Sequence, residues 1–344
     1  MEASQKLSDK YKPTGAGGGT NGQGGNQNSS GQNSFNPNYP RFPTNKAPYL
    51  DTTERETLIK MMVGETGVGK TVQIIKECTA YAKDNPVTGK KARPVFIFHP
   101  NVLFEPQYMN TFKNHIRLSQ IKEMTAPQVY IVLPINPDGS IMDDHQKREA
   151  IIYCVNTCLS CLLVLDDIDD VMKGVKPRDM DKLFVSHRHR SIDLITTHQF
   201  LNPITTQEWG AVTTITLRKT VQSVSIIADR VPNPEILYIS EMMVAEQYNL
   251  SETKYREGQI SKEEWYHRRS FSVDVNIRTN RIVGGYSRDC FIRNCKKYLN
   301  LNGRKISDFQ KIYCDAEGKP VYNREQAIQR IITKELWRYY GGRE

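Results

Sequence analysis

Short apolar runs alternate with stretches of helical spacing in the part of the chain between residues 57 and 217. Each run is apolar on both faces, which is typical of strands buried within a parallel sheet. The runs predicted as strands are Thr57–Val63, Pro94–Phe98, Val129–Leu133, Leu162–Leu165, Ile192–Thr197 and Ala211–Leu217. The alternation of such strands with helices predicts an α/β fold, with a mainly parallel sheet flanked by helices.

Two helices are predicted between these strands, over Thr71–Lys83 and Asp144–Asn156. A period near 3.6 residues gives the first helix one apolar side, which we expect to face the sheet. That side is formed by Val72, Ile75, Cys78 and Ala82.

The pattern changes after Thr220. Val221–Arg230 and Ser240–Tyr248 have helical spacing, and Asn323–Tyr340 is amphipathic. The alternation of apolar residues across Phe271–Tyr286 predicts a β-hairpin. We therefore expect an α/β domain over residues 49–235 and a small C-terminal appendage of mixed structure over residues 236–344.

The first 48 residues are low in complexity. Gly15–Asn38 is mostly Gly, Asn, Gln and Ser, and prolines follow it. Such a segment buries too little apolar surface to offset the entropy lost on ordering, so we expect a disordered tail over residues 1–48.

The chain is basic, with 47 Lys and Arg, 38 Asp and Glu and a formal net charge of +9. Within residues 251–344 there are 20 Lys and Arg against 12 Asp and Glu, so most of the excess lies in the last quarter. This balance favours polyanionic partners such as nucleic acid, although ordinary solubility also explains it.

The seven cysteines are odd in number and no signal peptide is recognised, so reduced thiols and a cytosolic setting are expected. No apolar run approaches the roughly 18 residues needed to span a membrane. We therefore expect no transmembrane segment.

A phosphate-binding motif follows the first predicted strand. It fits the pattern G-x-x-x-x-G-K-[ST] and consists of Gly64, Glu65, Thr66, Gly67, Val68, Gly69, Lys70 and Thr71. Glycines let the backbone wrap closely around phosphates, and the N–H groups at the start of the following helix point toward them. Lys70 would place its charge on the β- and γ-phosphates, and the Thr71 hydroxyl would be a ligand of Mg²⁺. The motif predicts a site for ATP and Mg²⁺.

A second acid is expected at the end of a neighbouring strand. The apolar run Leu162–Leu165 leads directly into Asp166 and Asp167. Asp166 would bind Mg²⁺, directly or through water, and Asp167 would orient or deprotonate the attacking water. The alternative is a solvated acidic turn, and we expect Asp169 and Asp170 to face solvent in this way.

Two polar residues, His198 and Gln199, follow directly after the predicted strand Ile192–Thr197. Gln199, or else His198, could reach the γ-phosphate or the attacking water from this strand end, although a strand end without such a contact remains an alternative. Arg188 and Arg190 precede the strand, and each could stabilise transition-state charge from a neighbouring subunit, bind DNA phosphates or simply be solvated. Arg218 is a further candidate for stabilising transition-state charge from a neighbouring subunit.

Three segments together resemble the FtsK/HerA superfamily of DNA-pumping ATPases, and more closely its viral genome-packaging branch. They are Val63–Thr71, Leu162–Asp167 and Arg188–Gln199. The resemblance covers about residues 55 to 220, and the Arg-His segment that leads to Gln199 points to this superfamily in particular. Many cellular members have Glu at the position of Asp167.

The resemblance implies a P-loop ATPase that forms a homo-oligomeric ring and threads double-stranded DNA through its centre. It also implies capsid or membrane-vertex proteins as docking partners, in the host cytoplasm or at the packaging vertex of a virion. Two alternatives are a phage morphogenesis ATPase and a nucleotide-binding switch protein of a virion. A small-molecule kinase is disfavoured because no Arg-rich lid segment is recognised.

Overall fold

The computed structural model describes residues 57–172, residue 184 and residues 187–341, with the side chain of residue 170 excepted. The predicted tail over residues 1–48 lies outside this part of the chain. Nine strands form one sheet in the order β3-β4-β2-β5-β6-β1-β7-β8-β9. They are β1 (Ile59–Val63), β2 (Val95–Phe98), β3 (Asn114–Ile116), β4 (Val129–Val132), β5 (Leu162–Leu165), β6 (Asp193–His198), β7 (Thr214–Leu217), β8 (Val273–Asn276) and β9 (Arg281–Val283).

The seven strands β1 to β7 all run parallel to one another. Strand β8 is antiparallel to β7, and β9 is antiparallel to β8. All the loops that follow the parallel strands therefore lie at one edge of the sheet, which we call the C-terminal edge. The loops that precede these strands lie at the opposite, N-terminal edge. Strand β6 lies between β1 and β5, so three strand ends that carry polar residues are adjacent at the C-terminal edge.

Ten helices accompany the sheet within the described residues. They are α1 (Lys70–Tyr81), α2 (Pro106–Thr111), α3 (Asp144–Thr157), α4 (Asp169–Met172), α5 (Thr206–Ala211), α6 (Pro234–Arg256), α7 (Lys262–Arg269), α8 (Arg288–Leu301), α9 (Gly303–Ile312) and α10 (Arg324–Ile331). Short 3₁₀ segments cover Val102–Phe104, Leu118–Glu123, Val224–Ile227 and Trp337–Tyr339, and a π-helical turn covers Ile332–Leu336.

Apolar side chains cover both faces of the sheet. Met62 points toward α1 and packs with Ile74 and Cys78, whereas its neighbours Met61 and Val63 belong to the core on the opposite face. This division follows from the alternation of side chains along a strand. Replacement of the fully buried Ile74 by Ala should cost about 2–5 kcal/mol of unfolding free energy.

The predicted fold class is confirmed, because a mostly parallel sheet is flanked by helices as in P-loop NTPases. All six predicted strands are present, but the last begins at Thr214, since Ala211 ends α5. The apolar side of α1 was also wrong in part. Val72 is 47% exposed, and Ile74 packs against the sheet with Cys78.

The C-terminal part contains the predicted hairpin, formed by β8 and β9. It extends the main sheet, because β8 pairs with β7. The prediction for Val221–Arg230 was wrong in extent, since only Val224–Ile227 forms a helical turn. The helix predicted over Ser240–Tyr248 is present as α6 and is longer than predicted. The domain boundaries stay a prediction.

Six of the seven cysteines are buried and none forms a disulfide. Within the described part of the chain, no helix combines the length and apolarity that crossing a bilayer requires.

A candidate nucleotide-hydrolysis site

The loop between β1 and α1 is shaped by glycines. Gly67 and Gly69 have φ angles of 80° and 82°, in the left-handed region that residues with a Cβ rarely adopt. Gly69 is the N-cap residue of α1. The first N–H groups of this helix have no partner within it, and its positive dipole end also lies here. The backbone therefore offers donors to an anion such as a phosphate.

Gly64 is needed for a different reason, because the side chains of Arg218 and Val68 leave no room for a Cβ. A Cβ at this position would lie 2.8 Å from Cβ of Arg218 and 2.9 Å from Cγ2 of Val68. Contacts this short do not occur in real structures, so even Gly64→Ala would displace the loop.

Lys70 lies inside the loop, where its ammonium group donates to two carbonyl oxygens. Nζ is 2.5 Å from the oxygen of Gly64 and 3.3 Å from that of Glu65. Burial lowers the pKa of Lys70, and the nearby carboxylates of Asp167 and Asp166 partly offset this effect. The charge of Lys70 is thus held between the phosphate-binding loop and the acids that follow β5.

Asp166 is 2% exposed and follows the last residue of β5. Its Oδ2 accepts a 2.6 Å hydrogen bond from the Tyr108 hydroxyl, and its Oδ1 accepts a 2.5 Å hydrogen bond from Oγ1 of Thr197. Two neutral hydroxyl donors orient the carboxylate without neutralising its charge. Oxygen ligands of this type suit Mg²⁺.

Asp167 lies beside Asp166 in an unusual backbone conformation, with a φ of 52°. Its N–H donates to Oγ1 of Thr197 at 2.8 Å, so the hydroxyl of Thr197 contacts both acids. Oδ1 of Asp167 accepts a 2.7 Å hydrogen bond from Nε2 of Gln199. Left-handed backbone in a non-glycine residue is costly and is concentrated at functional sites.

Asp169 does not face solvent as predicted. Its Oδ1 is 2.7 Å from Nδ1 of His198, and its Oδ2 accepts a 2.9 Å hydrogen bond from the N–H of Gln199. Burial acts to raise the pKa of Asp169, but His198 and the backbone donors outweigh it, and the pKa is lowered. Asp169 therefore fixes the end of β6, from which Gln199 projects.

Of the two polar residues at the C-terminal end of β6, His198 and Gln199, the second is the more accessible. Its side chain is partly exposed and already touches Asp167. His198 is 1% exposed and its ring is bound to Asp169. The position of His198 indicates that it supports the strand end, while the role of Gln199 remains a prediction.

Arg188 and Arg190 precede β6 and therefore lie at the N-terminal edge of the sheet, whereas Lys70 lies at the C-terminal edge. Arg188 is exposed. The guanidinium of Arg190 donates to the carbonyl oxygens of Val155 and Cys158, the latter at 2.6 Å, at the C-terminal end of α3. A cation is favourable at this end of a helix. This placement indicates a structural role for Arg190, while the role of Arg188 remains a prediction.

Arg218 does not fit the role of an arginine that reaches a neighbour, because it is 5% exposed and is held by its own chain. Nη1 donates to the carbonyl oxygen of Val68 at 2.6 Å and to that of Ser270, and Nη2 donates to Oε1 of Gln73. Burial lowers the pKa of Arg218 to about 10. The side chain thus ties the phosphate-binding loop to the residues that precede β8.

Sequence reasoning missed two residues that organise the site, Tyr108 and Thr197, and it gave Arg218 a different role from the supporting one that its contacts indicate. Each is an ordinary residue within a strand, a helix or a loop, and no motif marks it. Their roles come from strand order and helix packing, which bring distant segments together. The only available signal was the position of Thr197 just before a polar strand end.

Comparisons with known proteins returned solved structures only. No family model matches the chain, and no curated protein matches its sequence. The genome packaging NTPase B204 of Sulfolobus turreted icosahedral virus 2, in complex with AMPPCP, is 16% identical, with a TM-score of 0.37 over 66% of this chain and 95% of that one. B204 of Sulfolobus turreted icosahedral virus is 15% identical, with a TM-score of 0.36 over 65% and 94%. The N-terminal domain of zonular occludens toxin from Neisseria meningitidis is 19% identical, with a TM-score of 0.27 over 46% and 75%.

Proposed function

We propose that this protein hydrolyses ATP and uses the energy to move double-stranded DNA. We further propose that this movement packages a viral genome into a capsid. The observation that carries the hydrolysis is the contact between Asp167 and Gln199 at the edge of the sheet that also holds Lys70. A base and a water-orienting amide, placed beside a phosphate-binding loop, are the groups that phosphoryl transfer to water requires.

Each residue of the site then has a defined task. Lys70 and the N–H groups of the loop bind the β- and γ-phosphates. Asp167 accepts the proton of the attacking water, and Gln199 orients that water while it holds Asp167. Thr197 keeps both acids in place through its contacts with Asp166 and the backbone of Asp167.

Mg²⁺ fits the chemistry of the site. Asp166, Asp167 and Asp169 lie near Lys70, and Arg218 adds a second positive charge there. The carboxylates still outnumber the two cations, and a divalent cation would balance the excess. Thr71 in the first turn of α1 and Asp166 at the end of β5 are the residues we assign to it. When bound, the ion would neutralise charge on the phosphate oxygens.

The assignment to DNA rests on the resemblance of Arg188–Gln199 to the FtsK/HerA pattern and on the net charge of +9. Contacts to the phosphate backbone would give little sequence preference and a steep dependence on salt. We infer a homo-oligomeric ring because Arg188 is exposed at the N-terminal edge, remote from the phosphate-binding loop of its own chain, so that it would act on a neighbour's site. Capsid or membrane-vertex proteins would then be the docking partners.

A DNA-stimulated ATPase assay tests this proposal. We expect duplex DNA to raise turnover, and Lys70→Ala to abolish turnover both with and without DNA. Lys76→Ala, in the same helix but outside the motif, is the matched control and should behave as wild type. Tight ATP binding without detectable turnover would instead indicate a switch protein, and turnover that ignores DNA would contradict the motor.

A further inference from the structure

A groove of about 380 Å³ lies beside the phosphate-binding loop, between α6 and the residues that join α7 to β8. Its volume is within the range of roughly 300–1,000 Å³ that small-molecule sites have. The residues that matter here are Gln247, Leu250 and Lys254 from α6, and His267, Ser270 and Phe271 from the opposite wall.

Both walls of the groove are attached to the phosphate-binding loop. Burial and the nearby carboxylate of Glu65 raise the pKa of Tyr248, so this side chain, next to Gln247 on α6, lies close to the loop. On the other wall, Cβ of Ser270 lies 3.1 Å from the position that a Cβ on Gly69 would take. Arg218 reinforces this contact, since it donates to the carbonyl oxygens of both Ser270 and Val68. The groove therefore adjoins the loop directly.

The order of the strands gives a bound triphosphate its direction. Strand β1 lies between β6, on the side of the catalytic acids, and β7, which pairs with β8. The γ-phosphate must lie next to Asp167 and Gln199, because these residues act on the attacking water. The rest of the nucleotide then extends toward β7 and β8, over the first turn of α1, where Val72 is 47% exposed. The groove lies at this end.

The chemistry of the walls suits a nucleobase and a sugar. Leu250 is 46% exposed and the Phe271 ring is partly exposed, so both present apolar surface to the groove. A flat base can stack on such an aromatic face. Lys254, Gln247 and His267 supply polar groups at the same site. We propose that this groove binds the base and ribose of the nucleoside triphosphate. This inference rests on the proposed function, because it places the remainder of the same substrate.

Calorimetric titration of two ligands, ATP and inorganic tripolyphosphate, tests the proposal. Tripolyphosphate occupies the phosphate-binding loop but has nothing to place in the groove. In Phe271→Ala and in Leu250→Ala, we expect the dissociation constant for ATP to rise about 10-fold, which is the effect of losing one stacking or apolar contact. The dissociation constant for tripolyphosphate should stay within about twofold of the wild-type value, which also shows that the loop is folded.

Leu301→Ala is the matched control, because Leu301 is 70% exposed at the end of α8 and should affect neither ligand. If both groove variants bind ATP as tightly as wild type, the groove does not hold the base. The same conclusion follows if ATP and tripolyphosphate weaken by equal factors. Lys70→Ala should weaken both ligands, and unchanged binding there would overturn the nucleotide site itself.

Discussion

The two edges of the parallel sheet carry different kinds of polar residue. At the C-terminal edge, Lys70, Asp166, Asp167 and Gln199 converge. Thr197 joins Asp166 to Asp167 by hydrogen bonds, and Gln199 donates directly to Asp167. At the N-terminal edge, Arg190 is bound to the end of α3, and Arg188 is exposed beside it. The first edge thus contains side chains joined by hydrogen bonds, and the second presents an exposed cation.

This difference indicates which parts of the reaction one chain can supply. In the proposed function, phosphate binding, proton acceptance and water orientation are all assigned to residues of the C-terminal edge. The six-residue strand β6 separates Arg188 from that edge, and a strand of this length spans roughly 20 Å. Arg188 therefore cannot contact the phosphates that its own chain binds, and the role we assign to it requires a second subunit.

The largest predicted effect concerns Arg188. If it completes a neighbour's site, Arg188→Ala should lower kcat by about 10³–10⁵-fold, as the loss of an arginine that stabilises the transferring phosphoryl group does. ATP binding should change little. When Arg188→Ala subunits are mixed with Asp167→Asn subunits, some interfaces combine an intact arginine with an intact acid, and turnover should partly return.

Arg304→Ala is a matched control, because the Arg304 side chain is also exposed but lies on α9, in the C-terminal part of the chain. Its kcat should equal that of wild type. Failure of the mixed subunits to recover turnover at every ratio would remove Arg188 from the reaction.

The next effect concerns Asp167. Asp167→Asn keeps the shape of the side chain but cannot accept the proton, so kcat should fall by about 10²–10⁴-fold. The ATP dissociation constant should remain near the wild-type value, because Lys70 and the loop are untouched. Single-turnover kinetics with pre-bound ATP would measure this directly, and a loss of ATP affinity without a loss of kcat would contradict the role of a base.

A smaller effect is expected for Gln199. Gln199→Ala removes the amide that holds Asp167 and orients the water, and we expect kcat to fall about 10²-fold, in line with the removal of one transition-state donor. Gln329→Ala, at an exposed position on α10, provides a control of the same residue type. Unchanged turnover in Gln199→Ala would mean that the contact with Asp167 has no part in the reaction.

Arg190 should affect stability and not catalysis. Its two charge-assisted hydrogen bonds lie at a partly exposed site, so Arg190→Ala should lower the unfolding free energy by about 1–2 kcal/mol. Urea unfolding gives this value, and kcat at a temperature where the variant is folded should match wild type. An Arg190→Ala variant with wild-type unfolding free energy but no measurable turnover would contradict the structural role that we assign to Arg190.

The smallest effect is a pH dependence at Asp169. Because its pKa is lowered in the folded protein from an ordinary value of 3.8, its contribution to stability is complete above that value and is lost as pH falls through the folded pKa. The stability difference between wild type and Asp169→Asn should therefore shrink below about pH 4. A difference that stays constant between about pH 5 and about pH 3 would show that Asp169 is not stabilised as a carboxylate.

Local features of the sequence predict most of the C-terminal edge. The strand before Gly64, the helix after Gly69 and the acids after Leu165 each depend on neighbours in the chain, so spacing alone locates them. The sequence also predicts that β8 and β9 form a hairpin. It does not predict that the hairpin pairs with β7, because strand order depends on contacts between distant segments.

The supporting residues could not be predicted for the same reason. Tyr108 contacts Asp166 across 58 positions, and Arg218 contacts Val68 across 150 positions. The wrong expectation for Asp169 has a related cause. An acidic turn usually faces solvent, but α4 begins at Asp169 and places it under the end of β6, beside His198.

Displacement of a third strand from a DNA triplex is the most direct test of the central claim, that ATP hydrolysis at this site moves duplex DNA. We predict that the wild-type protein displaces the third strand only when ATP is supplied. Lys70→Ala and Asp167→Asn should fail to do so under the same conditions. Vigorous ATP hydrolysis by the wild-type protein, with the third strand left in place on DNA that the protein binds, would contradict the account.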